Sequence, residues 1–286
     1  METCQIDRPM KENMKEINDI NEIHNVLFDS LCYFDDFCSK NELKYFISNG
    51  TLLGAAKYRD FVPWDDDADI LMPRKDYDRL MSLTDINNGK YRLLCKEQSP
   101  DWRMPYSKLS NDDTLIREEH YDFGVPIGLS VDIFPIDKWS PYLPMAKIQS
   151  FRCECLKRLL VCSIGGNFST GKKGIKKIIL WSMWHLGKML GYSRIQKKLM
   201  RIAEKSKKRR SKYAGCIVWT CHLDKEIFPA ELFKETTWLY IQGKKFPAMG
   251  KYESYLSKLY GDWKAELPEE KRCSNHRIKV WWNDAE

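Results

Sequence analysis

Three features of this 286-residue chain predict an α/β (α+β) fold. Short apolar strand candidates alternate with helical spacing up to about residue 140, a glycine-bearing turn joins the first strand to a helix, and beyond residue 144 the pattern becomes mainly helical and basic. In order, Met14, Ile17, Ile20, Ile23, Leu27, Leu31 and Phe34 recur every three to four positions, which predicts a long amphipathic helix over residues 10–39. Residues 43–48 read as a short buried strand ending at Asn49-Gly50. Thr51 then stands where its hydroxyl could cap a short helix through Leu52, Leu53, Gly54 and Ala55. Pro73 suits the first position of a helix carrying Tyr77 and Leu80. Further strand candidates lie at 91–96, 104–109, 114–117 and 129–136. Helical segments are expected at 145–163 and 175–212, around a Gly- and Ser-containing piece at 165–171. A hairpin around Gly243 and a helix over 252–259 follow.

This order suggests four parts: an N-terminal helix packing on the core (1–42), an α/β core (43–143), a basic helical region (144–212) and a C-terminal region of short mixed elements (213–286). Composition excludes a disordered or fibrous chain, since 43% of residues are hydrophobic and 10 Trp, 14 Tyr and 12 Phe are present. No run reaches the roughly 18 apolar residues of a spanning helix, and the opening METCQIDRPMKEN lacks the basic-then-apolar pattern of a secretory signal. A cytoplasmic protein with reduced thiols is therefore expected. The ten cysteines include no Cys-x-x-Cys pair, and Cys153 and Cys155 would point to different faces of a helix.

Charge is unevenly spread. Residues 145–212 hold 19 Lys and Arg against two Glu, a net of +17, which leaves −10 for the rest of a chain whose total is +7. Lysines 172, 173, 176 and 177 accompany Ile178, Ile179, Trp181, Trp184 and Leu186, a pattern that fits either a helix lying on an anionic membrane or a helix with core tryptophans and wet lysines. Nucleic-acid binding is not expected, because no recognition motif accompanies the charge.

The strongest chemical signal is Asp65, Asp66, Asp67 and Asp69, four carboxylates in five positions between Trp64 and the apolar Ile70-Leu71-Met72. On a strand Asp67 and Asp69 share a face. Carboxylates drawn toward a core cost several kcal/mol each unless compensated, and a hard divalent cation with oxygen ligands supplies that compensation. Asp132 interrupts the apolar run Leu129 to Ile136, and a neighbouring strand would bring it to the same ion. Asp137 fits a turn-capping role better. The expected metal ligands are thus Asp67, Asp69 and Asp132, with Mg2+ or Mn2+ as cofactor.

Two runs, Ser48-Asn49-Gly50-Thr51-Leu52-Leu53-Gly54 and Phe61-Val62-Pro63-Trp64-Asp65-Asp66-Asp67-Ala68-Asp69-Ile70, resemble the LicD phosphotransferase family, whose eukaryotic relatives include fukutin and fukutin-related protein. The resemblance continues through Asp132-Ile133-Phe134-Pro135-Ile136-Asp137, Phe246-Pro247-Ala248 with Tyr252-Glu253, and Tyr260-Gly261-Asp262-Trp263 with Pro268, Glu269 and Arg272. It implies a nucleotidyltransferase-like mixed sheet flanked by helices, in which Gly50 and Thr51 match the phosphate-approach turn, Asp67 and Asp69 the paired aspartates and Asp132 the third ligand. Asn49 stands where the wider superfamily has a small residue.

The implied reaction moves phosphocholine from CDP-choline to a sugar hydroxyl of a cell-surface glycan, releasing CMP. Asp65 or Asp66 would be acceptor base or outer ligand. Lys108 reads as a phosphate clamp or as a solvated edge lysine, and Arg272 and His276 are further candidates for the same pocket. A quaternary ammonium calls for aromatic faces, for which Trp64, Trp102, Tyr121 and Trp263 are available. Ribitol phosphate suits the metal motif equally well. A lipid-linked acceptor would put the basic region 172–212 at the inner membrane face. The rival readings are a nucleotidyltransferase or a sugar-nucleotide glycosyltransferase using the same aspartates, and a non-enzymatic adaptor that binds membrane or nucleic acid through the basic region.

Overall fold

A computed structural model describes residues 14–118, 122–166, 168, 173–220, 222–273 and 278–283. Its elements in chain order are α1 (Ile20–Lys40), β1 (Phe46–Ile47), α2 (Asn49–Lys57), β2 (Ala68–Pro73), α3 (Arg74–Ser82), β3 (Tyr91–Leu94), β4 (Ser107–Asn111), β5 (Thr114–Glu118), β6 (Ser130–Lys138), α4 (Leu143–Ile164), α5 (Ile175–Leu190), α6 (Tyr192–Ser206), β7 (Tyr213–Gly215), β8 (Phe228–Pro229), β9 (Thr236–Ile241), β10 (Lys244–Met249), α7 (Tyr252–Tyr260) and β11 (Ile278–Trp282). The fold is α+β, with a mixed sheet flanked by helices.

The main sheet runs β1-β2-β6-β4-β3 and extends through β7 and β8 from the far end of β6. Its two central strands, β2 and β6, are parallel. Both are near-continuous apolar runs, as strands covered on both faces must be. Ile70, Met72, Val131 and Ile133 are fully buried. β4 lies antiparallel beside β6, and β1 antiparallel on the other flank of β2. Helix α1 packs on β4 and β6, while α3 packs on β2 and β6. Leu27, Leu31 and Phe34 of α1 are fully buried.

The structure corrects several local expectations. The first helix starts at Ile20, where the Asp19 side chain accepts the Asn21 amide at 2.9 Å. Residues 15–17 are extended instead, with Glu16 bridging Trp281 and the Ile17 amide donating to the Val280 carbonyl. The expected strand at 43–48 is two residues long, because helix α2 already begins at Asn49. Thr51 therefore sits inside the helix and caps nothing. Pro73 closes β2 and precedes α3 by one residue. The expected helix at 175–212 is two helices broken at Gly191, whose φ of +73° a side chain would resist. The hairpin around Gly243 has the two-residue loop Gln242-Gly243, both with positive φ, as a type I′ turn requires.

Asp137 does not cap a turn. It is 1% exposed on β6, where Arg74 Nε and Nη2 donate to its two oxygens at 2.9 and 2.7 Å and Ser206 Oγ donates at 3.0 Å, tying α3, β6 and α6 together. Among the described residues no helix is long and apolar enough to cross a membrane. All the cysteines described are free.

Replacing one partner of a buried, forked ion pair strands the other charge. Arg74→Met should therefore lower unfolding free energy by about 3–5 kcal/mol, measured by urea denaturation.

Candidate active site

The site is built on the β1–α2 turn and the adjoining ends of β2 and β6. Asn49 opens α2 with φ +45°, a conformation asparagine tolerates better than most residues. Tyr255 of α7 holds it there, its Oη donating to Asn49 Oδ1 at 2.8 Å. Two bonds then fasten the turn to β2: the Ser48 amide donates to the Asp69 carbonyl at 3.0 Å, and the Asp69 amide donates to Thr51 Oγ1 at 2.8 Å. Thr51, expected to offer its hydroxyl to a phosphate, thus spends an oxygen lone pair on positioning Asp69. A Cβ on Gly50 would lie 2.2 Å from Asp65 Oδ2, so any side chain here would displace that carboxylate.

The acidic run is anchored from the N-terminal helix. The His24 ring, buried and stacked on Phe61 with centroids 5.0 Å apart, donates from Nε2 to the Asp65 carbonyl at 2.7 Å. β2 begins at Ala68, which leaves Asp67 just ahead of the strand and Asp69 within it. Register sets the rest: Asp69 pairs with Asp132 across the parallel β2–β6 ladder, and Asp132 pairs with Lys108 across the antiparallel β6–β4 ladder. One rung of the sheet therefore reads carboxylate, carboxylate, ammonium on three adjacent strands. Lys108 forms a close ion pair with Asp132 Oδ1 and also donates to Ser130 Oγ at 3.5 Å. It is 9% exposed on an interior strand, which removes the solvated edge-lysine reading.

Electrostatics records the convergence. Burial pushes the Asp69 carboxyl well above its ordinary pKa, and the charges of Asp67, Asp132 and Asp65 push it further, with Lys108 opposing. Asp66 borders a recess with Ile17, Ile20 and Ile278. A set of oxygen donors repelling one another around a buried aspartate suits a hard divalent cation in chemistry and charge. Among the described residues, however, no group of three His, Cys, Asp or Glu side chains is poised to hold an ion as placed. Asp132 is turned to Lys108 instead.

The other expected site residues are dispersed. Arg272 lies over Trp64, its Cζ 5.8 Å from the ring centroid, and donates to the Leu267 carbonyl at 2.8 Å. His276 and Tyr121 lie outside the described residues. Trp102 is fully buried, stacked on Phe123 and bonded through Nε1 to the Tyr106 carbonyl, so it walls no open pocket. Trp263 is 9% exposed.

A different aromatic group was missed from the sequence. Two residues beyond Asp69 and Asp132, and so on the same side of their strands, Leu71 pairs with Phe134. Both line a small recess with Asn49, Trp219, Glu226, Phe228 and Tyr255. Glu226 is buried and accepts the His222 amide at 2.6 Å. His24, Lys108 as ion-pair partner, Tyr255, Trp219 and Glu226 come from segments that no short motif links to the aspartates.

Because Asp69 holds its proton more tightly folded than unfolded, its contribution to stability is present below the ordinary carboxylate pKa and is lost as pH rises. Metal-free Asp69→Asn should therefore be more stable than the parent at about pH 8, with the gap closing toward about pH 4, as read by urea denaturation.

Comparison with known proteins agrees with this architecture. Residues 42–146 match the family model described as LicD/FKTN/FKRP, nucleotidyltransferase domain. The chain is 25% identical over 280 residues to the lipopolysaccharide cholinephosphotransferase LicD of Haemophilus influenzae, covering 92% of this chain and 97% of that one. Shorter matches occur to uncharacterised proteins of Rickettsia typhi, 31% identical over 23% of this chain and 24% of the relative, and of Rickettsia prowazekii, 40% identical over 17% and 18%. Residues 42–146 form a LicD-type nucleotidyltransferase domain, and the chain that carries it is similar over nearly its whole length to a LicD phosphotransferase enzyme.

Proposed function

We propose that the protein transfers phosphocholine from CDP-choline to a sugar hydroxyl of a lipopolysaccharide-type glycan and releases CMP. The observation that carries this reading is the Asp69–Asp132–Lys108 rung, which places two carboxylates and one ammonium side by side at the strand ends facing the Gly50 turn. The similarity to the Haemophilus protein supplies the choline and the lipopolysaccharide.

Asp67, Asp69 and Asp132 are the residues that would hold Mg2+ or Mn2+. A bound divalent ion there would offset the charge of the donor pyrophosphate and acidify the acceptor hydroxyl. Binding it requires Asp132 to exchange its Lys108 partner, which frees that ammonium for a phosphate oxygen of the donor. Lys108 is thus countercharge in one state and clamp in the other. Asp65, against Gly50 and acting on Asp69, is better placed than Asp66 to take the acceptor proton. As the new O–P bond forms, the bond from phosphorus to the CMP oxygen breaks and CMP carries away the electron pair.

The lining of the recess beside the rung suits the trimethylammonium end of the donor in chemistry, and the recess, at about 20 Å³, would have to widen to admit it. Methyl groups there would meet the rings of Trp219, Phe228 and Tyr255, with Glu226 balancing the charge. Trp219 already takes a cation, since Lys157 Nζ stands 5.6 Å from its centroid. An acceptor carried on a lipid would bring the basic region 172–212 to the cytoplasmic face of a membrane.

Incubation with labelled CDP-choline, Mg2+ and a lipopolysaccharide acceptor tests the reading. CMP and labelled glycan should appear together, and Asp69→Asn or Asp132→Asn should slow both by about a thousandfold or more. Release of pyrophosphate from a nucleoside triphosphate, or of a nucleoside diphosphate from a sugar nucleotide, would assign the rival reactions instead. Trp219→Ala should raise KM for CDP-choline about tenfold with a smaller effect on kcat.

A further inference from the structure

Helix α5 is inside out for a water-soluble protein. It carries four isoleucine or tryptophan side chains at least half exposed, Ile175 (69%), Ile178 (59%), Ile179 (52%) and Trp181 (50%), together with Met189 (73%), and its only buried residue is Gly187. Gly187 marks where α5 crosses α4, since a Cβ there would lie 2.7 Å from the Leu159 carbonyl and 3.0 Å from Cys162. Trp184 Nε1 donates to the Gly166 carbonyl at 3.2 Å and Lys188 Nζ to the Ser163 and Gly165 carbonyls, so this side of the helix is the one in contact with the protein. At about 100° per residue, the exposed apolar side chains all fall on the opposite side, within an arc of roughly 160° that includes only Ser182 and His185 as polar members. Lys176, Lys177 and Lys188 lie off that arc, and α5 contains no acidic residue.

Helix α6, by contrast, is ordinary. It buries Ile195, Leu199 and Ala203 and turns Lys197, Lys198, Arg201 and Lys205 to water. Of the expected basic membrane segment, then, only α5 presents an apolar surface outward, and its exposed tryptophan rules out the core reading for Trp181. Sixteen residues extend about 24 Å, too short to span a bilayer but suited to lying along its surface.

The geometry points to α5 as an interfacial membrane anchor: its outer apolar arc enters the headgroup boundary of an anionic bilayer while Lys173, Lys176 and Lys177 meet the lipid phosphates. The occupant follows from charge, because an apolar arc bordered by lysines in a region of 19 basic and two acidic residues matches a negative surface and repels a second copy of itself. This deepens the reading of a lipid-carried acceptor and rests on that reading only for its biological purpose. Binding itself needs no catalysis.

Co-sedimentation of the full-length protein with vesicles tests it. Vesicles of phosphatidylcholine with about a third phosphatidylglycerol should retain about tenfold more protein than pure phosphatidylcholine, and salt should reduce the difference. Ile178→Glu with Ile179→Glu, both at exposed positions, should abolish retention while leaving turnover on a delipidated acceptor unchanged. Lys176→Gln with Lys177→Gln should remove most of the preference for anionic lipid. Asp69→Asn should bind vesicles like the parent, so loss of catalysis and loss of anchoring are read separately. Equal retention on both vesicle types, no retention at all, or a concentration-dependent dimer that the glutamate variants dissolve would overturn the assignment.

Discussion

A buried aspartate surrounded by other aspartates is the constraint around which this fold is arranged. Asp69 stands inside a strand whose neighbours Ala68, Ile70 and Met72 are fully buried, and its carboxyl faces the charges of Asp65, Asp67 and Asp132. Such a cluster persists in a folded chain only if the backbone beneath it is held firmly and a cation answers it. The sheet does the first through strand register. Lys108 does the second within the protein, and the cluster's excess of negative charge leaves room for a divalent ion.

Much of the holding comes from outside the LicD-matched residues 42–146. His24, on α1, grips the backbone of the acidic loop, and Tyr255, on α7, holds Asn49 in its unusual conformation. Phe228, Glu226 and Trp219 of the C-terminal region line the recess next to the rung. A domain cut at the family boundaries would keep the aspartates and lose the contacts that aim them. That accounts for a similarity to the Haemophilus enzyme that runs over 92% of the chain, far beyond the matched domain.

The readable parts of the sequence were those set by local chemistry. Apolar runs gave β2 and β6, the crowding of aspartates marked Asp67 and Asp69 although only Asp69 lies in the strand, and the interrupted run at Asp132 announced a charge on a buried strand. Gly243 gave its hairpin because a two-residue turn needs positive φ. Contacts between distant segments were not readable in the same way. The pairing of Asp132 with Lys108 depends on β4 joining β6 antiparallel in one particular register, and nothing in either strand alone states it. Asp65 and Asp66 are equivalent as letters, and only the fold sets one against Gly50 and the other beside the recess at Ile17 and Ile278. The helical period at Met14 and Ile17 misled because burial against β11 produces the same apolar residues in extended chain. For α5 the sequence left two directions open, since a wheel shows that a helix has an apolar side without showing which side meets the protein.

In the reading proposed above, the repulsion focused on Asp69 would be relieved by a divalent cation held by Asp67, Asp69 and Asp132. Thermal unfolding at about pH 8, with and without millimolar Mg2+, measures that relief directly and without substrate. The account predicts that Mg2+ raises the parent's Tm by several degrees and leaves Asp69→Asn unmoved. An unmoved parent, or an equal rise in both proteins, would contradict it.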